Sequence, residues 1–316
     1  MNEGNTISFG QDTATAFYQP KPYFTGDKIK VLKSKDKRFN KKNALFFTTA
    51  ITKAFKMFSW GESKFDIQTL ENQILHIPTT INGDIDFEFI AEVVAELEAQ
   101  RVAELETYLQ VTGLRDYVLS DEEQNVFART DIEWSEYSIG KLFERISCKK
   151  LPYKAKDLPK QQIGEHSLPC LTSSFQNQGL NYYAPRTGAT ILKNVISIPS
   201  NSDVYRAYYQ SEEFTVLSDA YAIRWKNKKM SITDNQYLFM VMCINKVTDL
   251  PIYSYKNKLG GWNVVCKKDI LLPTKNGEID FEYMETYIQA IKKMAIKDVV
   301  TYADMKIAAT KEVIYK

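Results

Sequence analysis

The sequence is poor in the residues and runs that would build a disulfide framework, a zinc site or a membrane span. Only four of its 316 residues are cysteines and only two are histidines. They are Cys148, Cys170, Cys243 and Cys266, with His76 and His166. The cysteines form no Cys-x-x-Cys pair, so free thiols in a reducing compartment are expected. No apolar run approaches the roughly 18 residues of a membrane helix, which favours a cytoplasmic protein without a membrane partner.

Motifs of nucleotide-binding and DNA-modifying enzymes are also missing. There is no Asn-Pro-Pro-Tyr or Asp-Pro-Pro-Tyr loop, no Gly-rich cofactor turn and no Gly-x-x-x-x-Gly-Lys-Ser/Thr phosphate loop. Asp131, Glu133 and Glu136 lie close together, but without a matching catalytic lysine they are typical of a solvated linker. His166, after Gly164-Glu165, is typical of a loop. The sequence therefore predicts no catalysis, no metal site and no cofactor.

The charges are segregated, although the formal net charge is only +2. Residues 86–109 are strongly acidic. Basic residues gather in two runs, Lys33, Lys35, Lys37, Arg38, Lys41 and Lys42, and Lys149, Lys150, Lys154, Lys156 and Lys160. This pattern predicts basic lobes beside an acidic helix, although solvated loops would have the same composition. With 44% hydrophobic residues, a chain of this length can bury two cores.

One segment of the chain occurs twice. Asn82-Gly83-Asp84-Ile85-Asp86-Phe87 returns as Asn276-Gly277-Glu278-Ile279-Asp280-Phe281, and each copy follows an apolar-Pro step, Ile77-Pro78 and Leu272-Pro273. Upstream, Asn5-Thr6-Ile7-Ser8 matches Asn194-Val195-Ile196-Ser197, and Ala16-Phe17-Tyr18-Gln19 matches Ala207-Tyr208-Tyr209-Gln210. The chain is therefore predicted to be a tandem array of one module.

The two copies differ in length. In the second copy, residues 134–193 precede Asn194, whereas the first copy begins at Asn5, close to the first residue. We therefore expect one complete module and one module that lacks its front half.

A long amphipathic segment follows each Asn-Gly turn. Its apolar residues recur every three or four positions, which places them on one stripe of a helix. The stripes consist of Phe87, Ile90, Val94, Leu97, Leu105 and Tyr108 in the first copy, and of Phe281, Met284, Ile288, Ile291, Val299 and Tyr302 in the second. The carboxylates of Asp86 and Asp280 can cap the first turn of each helix.

The two helices differ in charge. The first carries Glu88, Glu92, Glu96, Glu98, Glu104 and Glu106, and the second carries Lys292, Lys293, Lys297 and Lys306. A helix of about 25 residues is a rod of roughly 38 Å. Matched stripes and complementary charge predict that the rods pair as an antiparallel coiled coil. The alternative is that each helix packs only on its own lobe.

The lobes are rich in short strand-like runs. Between Trp134 and Pro273, runs such as 195–198 and 220–225 are separated by Pro, Gly, Asn and Asp clusters. The apolar run 235–245 is predicted to be a buried helix, because the matching stretch 43–53 holds several helix formers. The fold class is therefore α+β, with strand-rich lobes joined by two long helices.

The segment from Thr172 to Tyr183 combines amides and hydroxyls with aromatic residues, and Arg186 follows it. Asn and Gln can form paired hydrogen bonds with adenine, and Arg can do so with guanine. Such a segment beside Lys-rich runs suits a surface that reads bases. The same composition is also typical of an ordinary surface loop.

The order of these features resembles a known family. Trp134-x-x-Tyr137-x-Ile139-Gly140-x-Leu142-Phe143, the polar segment, Tyr208-Tyr209-Gln210, the Asn-Gly turn and the long helix follow one another. In this order the chain resembles a target recognition domain of the specificity (S) subunits of type I and related type IIB restriction-modification systems. The first copy, with Phe17-Tyr18-Gln19-Pro20 and Phe24-Thr25-Gly26-Asp27, resembles the latter half of such a domain. The likeness covers nearly the whole chain and rests on order and repeat.

The resemblance implies two recognition domains, each reading half of a bipartite site in double-stranded DNA. Two helices would act as a ruler between them and dock methyltransferase and, where present, restriction subunits. A second copy in a homodimer or a complementing chain could supply the missing half domain. The expected boundaries are 1–85 for the half domain, 86–112 for the first helix, 113–133 for a linker, 134–279 for the complete domain and 280–316 for the second helix.

The expected DNA contacts fall into two sets. The base-contacting set is Gln176, Asn177, Gln178, Asn181, Tyr182 and Arg186, with Tyr208, Tyr209 and Gln210 as further candidates. The phosphate-contacting set is Lys149, Lys150, Lys154 and Lys156, together with Lys35, Lys37, Arg38, Lys41 and Lys42. The alternative function is a structural or protein-interaction module that uses the long helices and does not bind DNA.

Overall fold

A computed structural model describes residues 1–55 and 67–314. The chain forms two compact units. Unit 1 comprises Met1–Arg115 and Val299–Lys316, and unit 2 comprises Asp116–Asp298. Residues 56–66 of the predicted half domain and residues 315–316 of the predicted second helix lie outside the described residues. Across the described residues, no helix is both long and apolar enough to cross a membrane.

Unit 1 is built on a three-stranded antiparallel sheet with a helix on one face. Its elements are β1 (Thr6–Gly10), β2 (Thr15–Gln19), β3 (Ile29–Leu32), α1 (Ala44–Ala54), α2 (Ile67–Glu71) and α3 (Phe87–Val111). Strand β1 lies between β2 and β3. Ile7 and Phe9 of β1 pack in one core with Phe47 and Ile51 of α1 and with Ile90 of α3. The start of α3 is therefore part of the core of its own lobe.

Unit 2 contains three small sheets and a buried helix. Its elements are α4 (Asp121–Asn125), β4 (Glu133–Ser138), α5 (Ile139–Leu142), β5 (Phe143–Arg145), β6 (His166–Leu171), β7 (Leu180–Pro185), β8 (Val195–Pro199), β9 (Tyr208–Gln210), β10 (Thr215–Val216), β11 (Ala220–Trp225), α6 (Asp234–Thr248), α7 (Trp262–Val265), β12 (Asp269–Lys275), β13 (Glu278–Ile279) and α8 (Phe281–Ile314). From Val299 onward, α8 belongs to unit 1.

The sheets of unit 2 have the strand orders β5-β11-β8-β9, β10-β6-β7 and β13-β12-β4. Ile196 and Ile223 on the first sheet share a core with Met240 and Ile244 of α6 and with Met284 of α8. The predicted strands at 195–198 and 220–225 and the predicted helix at 235–245 are all confirmed. The α+β class is confirmed as well.

The repeat seen in the sequence is a repeat in the structure. Strands β2, β1 and β3 correspond to β9, β8 and β11, with the same antiparallel pairing. Asn5 and Asn194, just before the central strands, both have left-handed backbones, with φ of 55° and 54°. The side-chain contacts also recur: Gln19 donates to Ser8 as Gln210 does to Ser197, and the Tyr18 and Tyr209 hydroxyls lie 3.0 Å and 3.3 Å from the side-chain oxygens of Asn5 and Asn194.

Both long helices begin with the same cap. The Asp86 carboxylate accepts a hydrogen bond from the Phe89 N–H at 3.0 Å, and the Asp280 carboxylate accepts one from the Tyr283 N–H at 2.9 Å. Each bond satisfies an N–H group that has no partner within the helix. The predicted role of both aspartates is therefore confirmed.

The two related sheets differ on the face that points away from their helix. In unit 2 this covered face, Val195, Ser197, Tyr208, Gln210, Ala220 and Ala222, lies beneath other parts of the same unit. Leu171, Phe214 and Val216 pack against it. In unit 1 the matching open face, Ser8, Phe17, Gln19, Ile29 and Val31, leaves Phe17 61% exposed and Val31 37% exposed. No described strand of unit 1 corresponds to β6, β7 or β10.

The predicted apolar stripes are confirmed over the first turns of each helix. Phe87, Ile90 and Val94 of α3 are buried, as are Met284 and Ile288 of α8. Each set packs within its own unit, because Phe87 and Ile90 belong to the unit 1 core and the other pair to the unit 2 core. The alternative that each helix packs on its own lobe therefore holds for these turns.

Farther along the helices, the predicted stripe is wrong. Leu97, Tyr108, Ile291, Val299 and Tyr302 are exposed, and Leu105 is only half-buried. Toward the far ends of the helices the fully buried positions are Leu109, Val300 and Ala303, and Ala290, just before Ile291, is also fully buried. At the far ends of both helices the buried positions therefore lie one residue beyond Tyr108, Val299 and Tyr302, because a helix turns by about 100° per residue and a spacing of three and four drifts around its surface.

Within unit 1, ion pairs join α3 to the last part of α8. The Lys306 ammonium lies 2.8 Å from the Glu98 carboxylate. Arg115, just after α3, bonds Asp304 at 2.5 Å and Glu106 at 2.9 Å. The partners on α8 come in the reverse order, which is the antiparallel sense. The predicted charge complementarity is confirmed at Glu98 and Lys306, while coiled-coil packing stays a prediction.

Most of the segment 113–133, predicted as a linker, belongs to unit 2, which begins at Asp116. Its helix α4 begins with a capping box between Ser120 and Glu123. The Glu123 carboxylate accepts a hydrogen bond from the Lys293 ammonium at 2.9 Å, and these side chains are only 10% and 11% exposed. Burial raises the pKa of Glu123, but the bonds from Ser120 and Lys293 outweigh it and leave the pKa below its ordinary value. Lys293 therefore pairs with α4 and not with the acids of α3.

Candidate nucleic-acid interface

A polar loop, residues 172–179, connects β6 to β7 in unit 2. The Thr172 N–H donates to the Gly179 carbonyl at 3.0 Å and closes the loop. At its tip, Asn177 and Gln178 have left-handed backbones, with φ of 46° and 54°. This conformation costs roughly 1–2 kcal/mol per residue and persists only where the surroundings hold it. The side chains of Gln176, Asn177 and Gln178 are exposed.

Three hydrogen bonds hold the backbone of the polar loop. They run from the Tyr208 hydroxyl to the Phe175 carbonyl at 3.0 Å, from the Gln210 amide to the Gln178 carbonyl at 3.1 Å, and from the Ser202 hydroxyl to the Ser173 carbonyl at 2.7 Å. Each acceptor is a main-chain oxygen. The bonds therefore fix the path of the loop and leave its side chains available to a ligand.

The structure gives the Tyr208-Tyr209-Gln210 step a different role from the one predicted. Tyr209 is buried, stacks on Tyr237 with ring centroids 5.2 Å apart and donates its hydroxyl to Asp234. Burial also raises the pKa of Tyr209. The expectation that Tyr209 contacts DNA is corrected, because strand alternation turns it into the core. Tyr208 and Gln210 position the polar loop, and their direct contact with DNA stays a prediction.

The other predicted base-contacting residues lie on or just after β7. Asn181 and Tyr182 are half-buried, and the Asn181 amide donates to the Thr172 hydroxyl at 3.4 Å. Arg186 bonds Glu213 at 2.8 Å, with both side chains 47% exposed. A pair this exposed is weak, so Arg186 can exchange Glu213 for another partner.

The predicted lysines of unit 2 lie between β5 and β6. Lys149, Lys150, Lys154 and Lys156 are all exposed. The backbone N–H of Lys149 donates to the Thr190 hydroxyl at 2.9 Å, which anchors this segment to the β7–β8 connection. The lysines and the polar loop therefore belong to one unit, and both flank β6.

The basic run of unit 1 lies between β3 and α1. Lys35, Lys37, Arg38, Lys41 and Lys42 are exposed. Arg38 bonds Asp36 at 2.7 Å and lies 4.7 Å from the centre of the Phe87 ring. Hydrogen bonds from Arg38 lower the pKa of the Asp36 carboxyl. Arg38 therefore has a structural role, and the phosphate contacts of this run stay predictions.

Sequence reasoning missed two features of unit 2. Ser202 anchors the polar loop from a connection that carries no recognisable motif. Arg145, at the end of β5, lines one cavity together with Lys149 and Lys150. It stands shortly before that lysine pair in the sequence, so extending the basic run backward would have included it.

The histidine and the cysteines of unit 2, which are residue types often used in catalysis, have structural contacts or are buried. His166 opens β6 with its ring 6.4 Å from that of Tyr153. The four cysteines are unpaired, and burial raises the pKa of Cys170 to about 12 and that of Cys243 to about 11, so both thiols stay protonated at neutral pH. Within the part of the chain that the structure describes, no group of three or more His, Cys, Asp or Glu is arranged for a metal ion.

One family matches both units. The pattern of the type I restriction modification DNA specificity domain covers residues 1–107 and 131–302. The chain belongs to this family. It is a specificity subunit of a restriction-modification system and a non-catalytic recognition component. The predicted family and the predicted lack of catalysis are both confirmed.

Two relatives agree with this assignment. The chain is 23% identical over 294 residues to a protein of Heyndrickxia coagulans described as type II restriction enzyme BgcI specificity subunit S.BcgI, an alignment that covers 92% of this chain and 78% of the relative. The crystal structure of a type I restriction-modification system S subunit from M. genitalium has a TM-score of 0.52 at 15% identity, covering 99% of this chain and 81% of that one. The structural likeness supports the fold.

We predict that Tyr208→Phe loosens the polar loop without changing the fold. The loop would lose one hydrogen bond, about 1 kcal/mol, which corresponds to roughly fivefold faster amide hydrogen exchange. Phenylalanine fits the strand, because Phe17 occupies the matching place in unit 1. Hydrogen-exchange mass spectrometry of the peptide spanning 172–179 measures the change. Tyr108→Phe, which alters an exposed tyrosine on α3, is the control, and unchanged exchange in Tyr208→Phe contradicts the positioning role.

Proposed function

We propose that this specificity subunit reads one half of a double-stranded DNA site with the polar loop of unit 2. The observation that carries the proposal is the combination of exposed amide side chains with a main chain held in place. Gln176, Asn177 and Gln178 are exposed, and three hydrogen bonds hold the backbone beneath them. Amides suit this task because they donate and accept at once, as the edge of adenine requires.

Pre-organisation of the loop supports specificity. A loop that is already ordered loses less conformational entropy on binding than a mobile one. At the tip, Asn177 and Gln178 have left-handed backbones, a conformation that persists only where surrounding contacts hold it. A wrong base would leave a loop amide without a partner, which costs about 1–3 kcal/mol.

The exposed lysines of unit 2 provide the second component of the proposed interface. Lys154 and Lys156 lie in the segment that leads into β6, the strand from which the polar loop emerges. Phosphate contacts position a protein on the duplex without selecting sequence. In this proposal the lysines supply affinity and the loop supplies the sequence preference.

Selection of duplexes from a random library tests the proposal, using the full chain alone and with its methyltransferase subunits. We expect the wild-type chain to enrich a motif, Gln178→Ala to enrich a different or relaxed one, and Gln161→Ala, an exposed amide outside the loop, to keep the original. Lys154→Gln should lower affinity for all sequences alike and reduce the salt slope by about 0.9. If no duplex is bound even at low salt with the partner subunits present, the alternative of a protein-interaction module without DNA binding gains support.

The helices are the proposed docking site for methyltransferase and restriction subunits. Within unit 1 they carry large apolar side chains that remain exposed, Leu97, Tyr108, Val111, Tyr302 and Met305, between 48% and 82% exposed. Several exposed apolar side chains on two adjoining helices are typical of a protein interface. The exposed side chains of the stripe that was predicted to pair the two helices therefore support a role in docking another subunit.

Co-purification tests the docking proposal. We expect Tyr108→Glu to reduce recovery of the methyltransferase subunit at least tenfold, because a charge would be buried without a partner. Glu92→Gln, which changes an exposed acid of α3, serves as the control. Full recovery with Tyr108→Glu would place the docking site elsewhere.

The open face of unit 1 is the proposed place for a second recognition module, supplied by a second copy of the chain or by a complementing chain. Support comes from unit 2, where a second sheet and the polar loop cover the matching face. The mass of the purified chain distinguishes the two sources, since only the first gives a dimer. Phe17→Glu should abolish either association. The proposal is contradicted if the chain is a monomer and binds no other subunit through this face.

A further inference from the structure

One arginine is an exception among the arginines of the chain. Seven of the eight, all within the described residues, lie 2.5–3.0 Å from a carboxylate oxygen. These are Arg38, Arg101, Arg115, Arg129, Arg186, Arg206 and Arg224. Arg145 is exposed, and no described carboxylate lies within ion-pair distance of it. Arg145 is therefore the arginine whose guanidinium has no anionic partner among the described residues.

The guanidinium of Arg145 is held in a defined place. Arg145 ends β5, where its backbone lies opposite Ile223 of β11. The central carbon of its guanidinium lies 5.5 Å from the centre of the Tyr221 ring. A cation over an aromatic ring is attracted by the ring electrons and keeps its outer N–H groups free for another acceptor. The tyrosine therefore orients the arginine without neutralising it.

The surroundings of Arg145 favour an anion. Together with Lys149, Lys150 and Ser218 it lines a cavity of about 250 Å³, and no Asp or Glu is among the lining residues. Like charges in one cavity repel each other unless a negative group lies between them. Arg and Lys donors and a hydroxyl are also the groups that proteins use for phosphate. We call this cavity the Arg145 pocket.

The Arg145 pocket adjoins the strand pair that carries the polar loop. Val216 and Leu217, at the end of β10, form part of its wall. Val216 pairs with Leu171 of β6, and the Leu217 N–H donates to the Leu171 carbonyl at 2.9 Å. The polar loop begins at the next residue, Thr172. A ligand in the pocket would therefore lie close to the strand from which the proposed base-reading loop emerges.

We infer that the Arg145 pocket binds a phosphate group of the DNA backbone, with Arg145 as the principal donor. The inference rests on the proposed function and adds a binding residue to it. Exposure of Arg145, Lys149 and Lys150 suits a polyanion that approaches over the surface more than a small ligand enclosed by the protein. The planar guanidinium can donate two parallel hydrogen bonds to phosphate oxygens, and the lysines add charge from the side.

Substitution of Arg145 tests the inference in duplex-binding titrations over a range of salt concentrations. We expect Arg145→Gln to weaken binding of every duplex roughly tenfold at low salt, to reduce the salt slope by about 0.9 and to leave the preferred motif unchanged. Arg129→Gln is the matched control. Arg129 also lies over a tyrosine ring, 5.7 Å from the Tyr283 centre, but it has Asp131 as its partner at 3.0 Å.

A second measurement separates the pocket from the proposed function. Inorganic phosphate is titrated into the full chain labelled at its arginine side chains, and the Arg145 Nε–H resonance is followed by NMR. We expect it to shift while that of Arg129 does not. If the wild-type chain binds no duplex but phosphate shifts Arg145, the proposed function fails and the pocket stands as an anion site. If the chain binds DNA with a salt slope that Arg145→Gln leaves unchanged, the inference is overturned.

Discussion

The need to bury the second face of a sheet is the constraint on which unit 2 depends. Strand β8 lies between β11 and β9 in its sheet, and the side chains of any strand alternate between the two faces of the sheet. Ile196 and Ile198 pack toward α6, and Val195 and Ser197 therefore face the other way. An apolar cluster from β6 and β10 covers part of that face, and the polar loop covers another part through bonds from Tyr208 and Gln210. The proposed base-reading loop thus also covers the sheet. The loop side chains that point outward are those that are not used to cover it.

The same constraint explains the difference between the two units. Unit 1 repeats the strands, the Asn-Tyr and Ser-Gln contacts and the aspartate cap, yet its open face keeps Phe17 and Val31 at the surface. The hydroxyl that Tyr208 uses to hold the loop is absent from Phe17, the matching residue of unit 1, in which no described segment forms such a loop. In the proposed function, recognition is therefore concentrated in unit 2, and unit 1 offers an apolar surface in its place.

Features fixed by local chemistry could be predicted from the sequence. Asp86 and Asp280 were predictable caps, because a carboxylate next to an Asn-Gly turn can reach the free N–H groups of the following helix. The run 235–245 was a predictable core helix because it is largely apolar and its matching stretch 43–53 holds several helix formers. What could not be predicted depends on tertiary contacts. The far ends of the helix stripes were displaced by one residue, Tyr209 turned into the core, and Lys293 paired with Glu123 of α4 and not with α3. Spacing along a sequence does not determine which face another element will cover.

The central claim is that the polar loop determines which DNA sequence the complex recognises. Methylome sequencing of cells that carry the system with either the wild-type chain or Gln176→Ala/Gln178→Ala tests it most directly, because modified bases record every site that was read. The account predicts a motif that changes or relaxes at the positions read by unit 2, while modification itself continues. An unchanged motif at full modification would contradict it and place recognition on another surface.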